Sequence, residues 1–131
     1  MFQQYSAKVD RFGSAYALLE ATEKDKKVTI EYYLIFKDGE TPSIKGGVLE
    51  VEAVLDQTLE TYVNEHVEES LPYMILRYLV DNHQPSELEN LPEVVFAEDA
   101  NAIATIKANF PDYASMIIQK STSKAIKEAL A

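Results

Sequence analysis

The feature that most constrains this chain is a change in the spacing of its apolar residues near Asp56. Before that point they recur at every second residue, as on a strand with one buried face. After it they recur at three- and four-residue steps, as along one side of a helix. Tyr5, Ala7 and Val9 alternate with Ser6, Lys8 and Asp10, and the alternation resumes after Phe12-Gly13 through Ala17, Leu19 and Ala21. This predicts either one long strand bent at Gly13 or two short ones. Residues 27–36 form the clearest strand, with Val28, Ile30, Tyr32, Leu34 and Phe36 on one side and Thr29, Glu31, Tyr33 and Ile35 on the other, which suits a place inside the sheet. Turn residues Asp38-Gly39-Glu40-Thr41-Pro42 then send the chain back antiparallel from about Ser43. Gly46-Gly47 marks a bulge or a close backbone approach, and beyond it Leu49, Val51, Ala53 and Leu55 alternate with Val48, Glu50, Glu52 and Val54.

Within residues 56–82, Leu59, Tyr62, Val63, Val67, Leu71, Met74, Ile75, Tyr78 and Leu79 share one helical face, while Glu60, Glu65, Glu68, Glu69 and Asp81 occupy the other. Asp56 and Thr58 are both suitable N-caps. Pro72 cannot bond the carbonyl of Glu68 and disfavours a straight helix by about 3 kcal/mol, so a kink or break is expected near Leu71. A proline-punctuated, acidic connection follows and ends in Leu91-Pro92-Glu93-Val94-Val95-Phe96. Helices are expected over residues 98–108 and 112–130, the second with Lys120, Lys124 and Lys127 towards its C-terminal end. The expected architecture is α+β and a single domain over residues 1–131: an antiparallel sheet of three or four strands in residues 1–55, covered on one face by helices from residues 56–131.

The formal net charge of -10 is unevenly placed. Residues 1–37 carry six basic and five acidic side chains, residues 38–99 two and fifteen, and residues 100–131 four and two. A polyanionic middle disfavours direct binding to nucleic acid or anionic lipid, both of which need basic side chains. The absence of cysteine removes disulfides, thiolate catalysis and cysteine-bound zinc. No apolar run approaches the roughly 20 residues of a membrane span, and residues 1–10 do not resemble a signal peptide, so a soluble cytoplasmic protein of bacterial or phage origin is expected.

Catalytic equipment is sparse. His66 and His83 are the two histidines, and His66 with Glu69 makes at most half of a metal site. The serines lack a nucleophile-elbow setting, and Gly46-Gly47 alone does not make a phosphate loop. Glu50 and Glu52 share one strand face and read as solvated charges, although a carboxylate pair across a cleft would suit glycosidase-type chemistry. No enzyme activity, cofactor or metal is expected.

Leu71-Pro72-Tyr73 with Arg77, followed by Pro85, Leu91, Pro92 and Phe96, resembles the second half of the SecB-type export chaperone superfamily. Val48-Leu49-Glu50-Val51 also looks like the acidic strand with which members of that family contact the export motor. The resemblance covers about half of the chain, by pattern. It implies long antiparallel strands, a helix, an extended crossover, and cofactor-free holding of unfolded chains in apolar grooves between sheet and helices.

The function expected on this reading is that of a chaperone-like protein-binding module, with Tyr33, Ile35, Tyr62 and Tyr73 as contact residues and Glu50 and Glu52 as a docking patch for a partner. An uncovered sheet face that includes Tyr33 and Ile35 further predicts self-association, as a dimer or higher oligomer. The first alternative is an acidic phage or mobile-element protein that blocks a host nucleic-acid-binding protein by charge mimicry. The second is a small-ligand enzyme using a carboxylate pair.

Overall fold

The computed structural model describes residues 1–53 and 56–131, so the strand positions expected for Val54 and Leu55 lie outside the described residues. Five strands, β1 (Phe2–Val9), β2 (Gly13–Lys24), β3 (Lys27–Asp38), β4 (Thr41–Glu52) and β5 (Val94–Glu98), form one antiparallel sheet in the order β4-β3-β2-β1-β5. The helices are α1 (Leu59–Asn82), α2 (Ala102–Asn109), α3 (Pro111–Lys120) and α4 (Lys124–Leu130), with one 3-10 turn at Pro85–Leu88. Among the described residues, no helix is long and apolar enough to cross a membrane.

Tight turns set the strand register. Phe12 N–H bonds Val9 O at 3.1 Å, with Arg11 at φ 69°, so the first alternating stretch is a hairpin of two strands. Asp25 and Lys26 have φ of 52° and 64°, as a two-residue I′ turn requires, and Gly39 with φ 61° opens the next hairpin. β3 lies between β2 and β4, as its two-sided apolar pattern predicts. The closing segment of the crossover adds a fifth strand, pairing Phe96 with Ala7. It runs to Glu98, so the helix expected from there begins at Ala102, beyond a turn in which Asp99 accepts from Asn101 N–H at 2.8 Å.

On one face of the sheet, Tyr5, Ala7, Ala17, Leu19, Ile30, Leu34 and Phe36 pack against Val63, Val67, Leu71, Ile75 and Leu79 of α1. These five helix residues are spaced four apart, forming an inclined ridge that suits a twisted sheet. The helix continues through Pro72 instead of breaking there. Glu68, whose carbonyl loses its partner, is on the exposed side, where water can serve it. Burying Leu71 and Ile75 contributes roughly 1.5–3 kcal/mol each, enough to offset the proline. Of the two candidate caps, Thr58 is the one used, accepting from Thr61 N–H at 3.2 Å.

The opposite face is covered too, which corrects the expectation of helices on one side only. Leu18, Tyr33 and Ile35 pack against Ile106, Phe110, Ala114, Ile117, Ile126 and Leu130. A strand apolar on both sides needs two covers, and α2, α3 and α4 supply the second. The single helix expected over residues 112–130 is divided at Ser121-Thr122-Ser123. The cause is Glu31, a carboxylate on this apolar face with 6% of its surface exposed. It accepts from Ser121 Oγ at 2.9 Å, Thr122 N–H at 2.9 Å, Ser123 N–H at 3.1 Å and Tyr33 OH at 3.2 Å. A continuous helix would have spent those two amides on its own carbonyls. Ser123 then caps α4 by accepting from Ile126 N–H at 3.2 Å.

Replacing Glu31 by Gln leaves the shape but sets an amide against donors that need acceptors. We expect a loss of about 1–3 kcal/mol in urea unfolding and loosening of residues 121–130 in hydrogen exchange. A change under about 0.5 kcal/mol with no local loosening would show that the carboxylate does not hold the α3–α4 turn.

Candidate functional site

The sequence-predicted contact residues do not converge on one place. Tyr33 and Ile35 are 7% and 1% exposed beneath α3 and α4, so neither is available to another chain, and the argument for self-association through them falls. Burial and the neighbouring Glu31 raise the Tyr33 hydroxyl above its ordinary pKa. Tyr73 is 67% exposed on the outer side of α1, whereas Tyr62 is half-buried and packs against the core. Glu50 and Glu52 are exposed on β4, on the face covered by α3 and α4. They do not form a purely acidic patch. Glu50 pairs with Lys27 at 3.3 Å, Glu52 lies opposite Lys27 in the ladder, and Ala53 N–H bonds Lys26 O at 2.8 Å, which brings the basic β2–β3 turn to the same end.

What the structure does assemble is a groove on the α1 face. α1 packs over β2 and β5, which flank β1, and reaches Ile30, Leu34 and Phe36 of β3, which are buried beneath it; β4, at the edge, is the strand that it leaves largely without cover. Two adjoining cavities of about 150 and 260 Å³ lie in this gap, sharing Lys45 and Met74. Their floor is Ile30, Tyr32, Leu34 and Phe36 of β3 with Leu49 of β4. Their wall is His66, Ser70, Met74 and Tyr78, again four residues apart and one position behind the buried ridge of α1. Tyr62 continues the same row and stacks on His66, with ring centroids 6.3 Å apart. Burial pushes the His66 imidazole below its ordinary pKa, the Glu69 charge opposing this, so the wall is uncharged at neutral pH; His66 Nδ1 lies 3.3 Å from Ser70 Oγ. Lys45 is the charged side chain lining both cavities.

Gly46 and Gly47 shape the open side of this groove. They make no bulge, since the β3–β4 register is continuous through Tyr33 opposite Gly46 and Tyr32 opposite Gly47. A Cβ at Gly46 would stand 2.8 Å from the Tyr33 ring, and one at Gly47 would stand 2.7 Å from the Tyr32 hydroxyl. Each tyrosine therefore lies across a glycine, one on each face, an aromatic cover that keeps a glycine-containing edge strand paired. Because a two-residue hairpin makes Asp38 and Thr41 a hydrogen-bonded pair, alternation along the ladder turns the main-chain groups of Ile44, Gly46, Val48 and Glu50 outward, away from β3.

At the other end of α1, His83 sits between two carboxylates. Its Nε2 meets Asp38 Oδ2, its Nδ1 lies 3.2 Å from Glu87 Oε2, and its ring packs edge-on to Phe12 at 5.0 Å. This ties the C-cap of α1 to the β3–β4 hairpin, a contact between residues 45 positions apart that no local pattern discloses. A second polar cluster lies between α1 and the paired β1 and β5, where Tyr5 OH of β1 donates to Asn64 Oδ1 at 2.8 Å. Burial, then Glu98 and Glu60, push that hydroxyl up to about 12.

Comparisons with protein-family models, with curated proteins and with solved structures find no match to this chain.

The hydrogen bond to Asp38 holds the His83 pKa above its ordinary value, with Glu87 adding to the effect. A folded pKa above the unfolded one contributes stability that is complete below about pH 6.5 and is lost as pH rises through the folded value. In urea titrations from mildly acidic to alkaline pH, the wild-type advantage over His83→Gln should be largest at the acidic end and shrink towards a plateau. An advantage that grows with pH would contradict the pairing.

Proposed function

We propose that this chain is a non-enzymatic protein-binding module that holds extended, unfolded segments of other polypeptides in the groove between α1 and the β3–β4 half of the sheet. The observation that carries the reading is the groove itself: an apolar floor on a rigid sheet, an uncharged wall of four half-buried side chains, and an open side. Burial of apolar side chains there supplies affinity without sequence specificity, at roughly 25 cal/mol per Å² removed from water. Met74 suits such a role because its unbranched thioether adapts to side chains of many shapes. This is the mode of action that the SecB-like resemblance implies, chaperone-like holding in the cytoplasm with neither cofactor nor nucleotide. Glu50 and Glu52, on the other face of β4, are free to dock a partner while the groove is filled. The interleaving of Lys24, Lys26 and Lys27 with the acidic groups at that end disfavours a charge mimic there.

Apolar holding is little screened by salt, whereas charge pairing weakens as the Debye length falls from about 10 Å at 0.1 M to about 3 Å at 1 M. The chain should therefore suppress aggregation of an unfolded model protein at least as well at 1 M salt as at 0.1 M. Met74→Asp combined with Leu49→Asp should abolish the effect without lowering the thermal midpoint by more than a few degrees, while Glu50→Gln with Glu52→Gln should leave it intact. No suppression by the wild type, together with tight low-salt binding to one basic protein that is released at high salt, would replace this reading with charge mimicry.

A further inference from the structure

The two edges of the sheet differ. β5 is five residues long, preceded by Glu93 and ending in Glu98, features that blunt an edge against pairing. β4 is 12 residues long, keeps an unbroken register, and presents a free row of main-chain groups whose side chains include Val48 at 60% exposure. On the face covered by α3, Val48 borders a further cavity of about 270 Å³, whose wall is apolar at Ile44, Met116 and Ile117 and polar at Glu31, Lys120 and Thr122. An exposed apolar side chain and a cavity with an apolar side at Ile44 thus sit on the same short patch, which is what a self-complementary two-fold interface requires.

We infer that a second copy of this chain occupies the β4 edge, and that the pair, not the single chain, forms the complete polypeptide-holding site; this rests on the groove reading above. Antiparallel pairing about Gly46 sets Ile44 opposite Val48 of the other copy, where Val48 enters the cavity, and Ser43 opposite Leu49. Within the paired strands Glu50 meets Pro42, and Glu52 falls opposite Glu40 of the turn, at the two outer ends of the pairing. Two five-stranded sheets become one of ten strands, with both α1 helices on the same face. Between them runs one channel, floored by β3 and β4 of each copy. At about 4.8 Å per strand, it spans roughly 14 Å from β3 to its counterpart, wide enough for an extended chain or a helix. Each copy contributes its own His66-to-Tyr78 wall, so the channel has two walls where the single chain has one. Both copies carry a net charge of -10, so salt should strengthen their association, the reverse of its effect on a basic partner.

The test is sedimentation velocity over the micromolar range at low and high salt, run beside the aggregation assay, on the wild type and on Val48→Pro. The Val48 amide points away from β3, so proline there removes an outward donor and none of the internal ladder. If Val48→Pro shows a lowered thermal midpoint, Val48→Lys takes its place, adding an edge charge that opposes strand pairing. A dimer that tightens with salt, becomes monomeric in the variant and loses about tenfold or more in holding potency supports the inference. A wild type that stays at 14.8 kDa throughout, or a variant that remains dimeric, overturns it, and aggregation suppression by that same protein would leave the single-chain groove standing. A monomeric variant with undiminished potency also overturns it. Loss of potency with no dimer in either protein would assign the edge to the held polypeptide.

Discussion

Glu31 lies on the apolar side of β3, and its charge must be satisfied there because an ionised carboxylate left unpaired in such a place is prohibitively costly. Ser121, Thr122 and Ser123 supply the donors, and in doing so they fix the turn between α3 and α4 against the sheet. That one closure fixes the junction of α3 and α4 on a single face, where α2 joins them through Ile106. α1 is left to cover the other alone, and its size makes complete cover impossible. A helix is about 10 Å across, whereas five strands at about 4.8 Å spacing span roughly 19 Å from first to last. The uncovered strip is the groove, and it falls along β4 and the margin of β3 because α1 is placed towards β2 and β5.

Much of this was legible from side-chain period alone. The strand positions of residues 27–36, the hairpin at Gly39, the ridge from Val63 to Leu79 and the single-sided acidity of α1 all follow from spacing, and all were read correctly. What escaped was decided by pairs distant in sequence. Glu31 is 90 residues from Ser121, so the division of the last helix had only one local sign, three consecutive hydroxyl residues ahead of Lys124. β5 is too short to display a period. Tyr33 and Ile35 read from sequence as an open surface because nothing local reveals which helices cover which side. The groove wall was in plain view as half-polar residues, Tyr62, His66, Ser70, Met74 and Tyr78, running beside the buried ridge. Distinguishing wall from core required knowing that β4 has no helix above it.

The ends of the groove differ in what holds them. Near Tyr78, the groove is closed by the edge-on packing of Tyr78 on Phe36 at 5.3 Å and by the His83 bridge to Asp38 just beyond. Near Tyr62, the contacts are a ring stack and one hydroxyl, with no ion pair across to β4 among the described residues. Charged contacts thus anchor one end of α1 to the β3–β4 hairpin, while softer apolar contacts line the rest.

The central claim is that polypeptide is held beside the Met74 side of α1. Tyr73 and Met74 are neighbours in sequence on different sides of that helix, which makes them a matched pair for site-specific photocrosslinking with a benzophenone residue at one position or the other. In the presence of an unfolded protein, crosslinks should form from position 74 and be nearly absent from position 73, although the latter is far more exposed. Crosslinks that form equally from both positions, or from position 73 alone, would contradict the account.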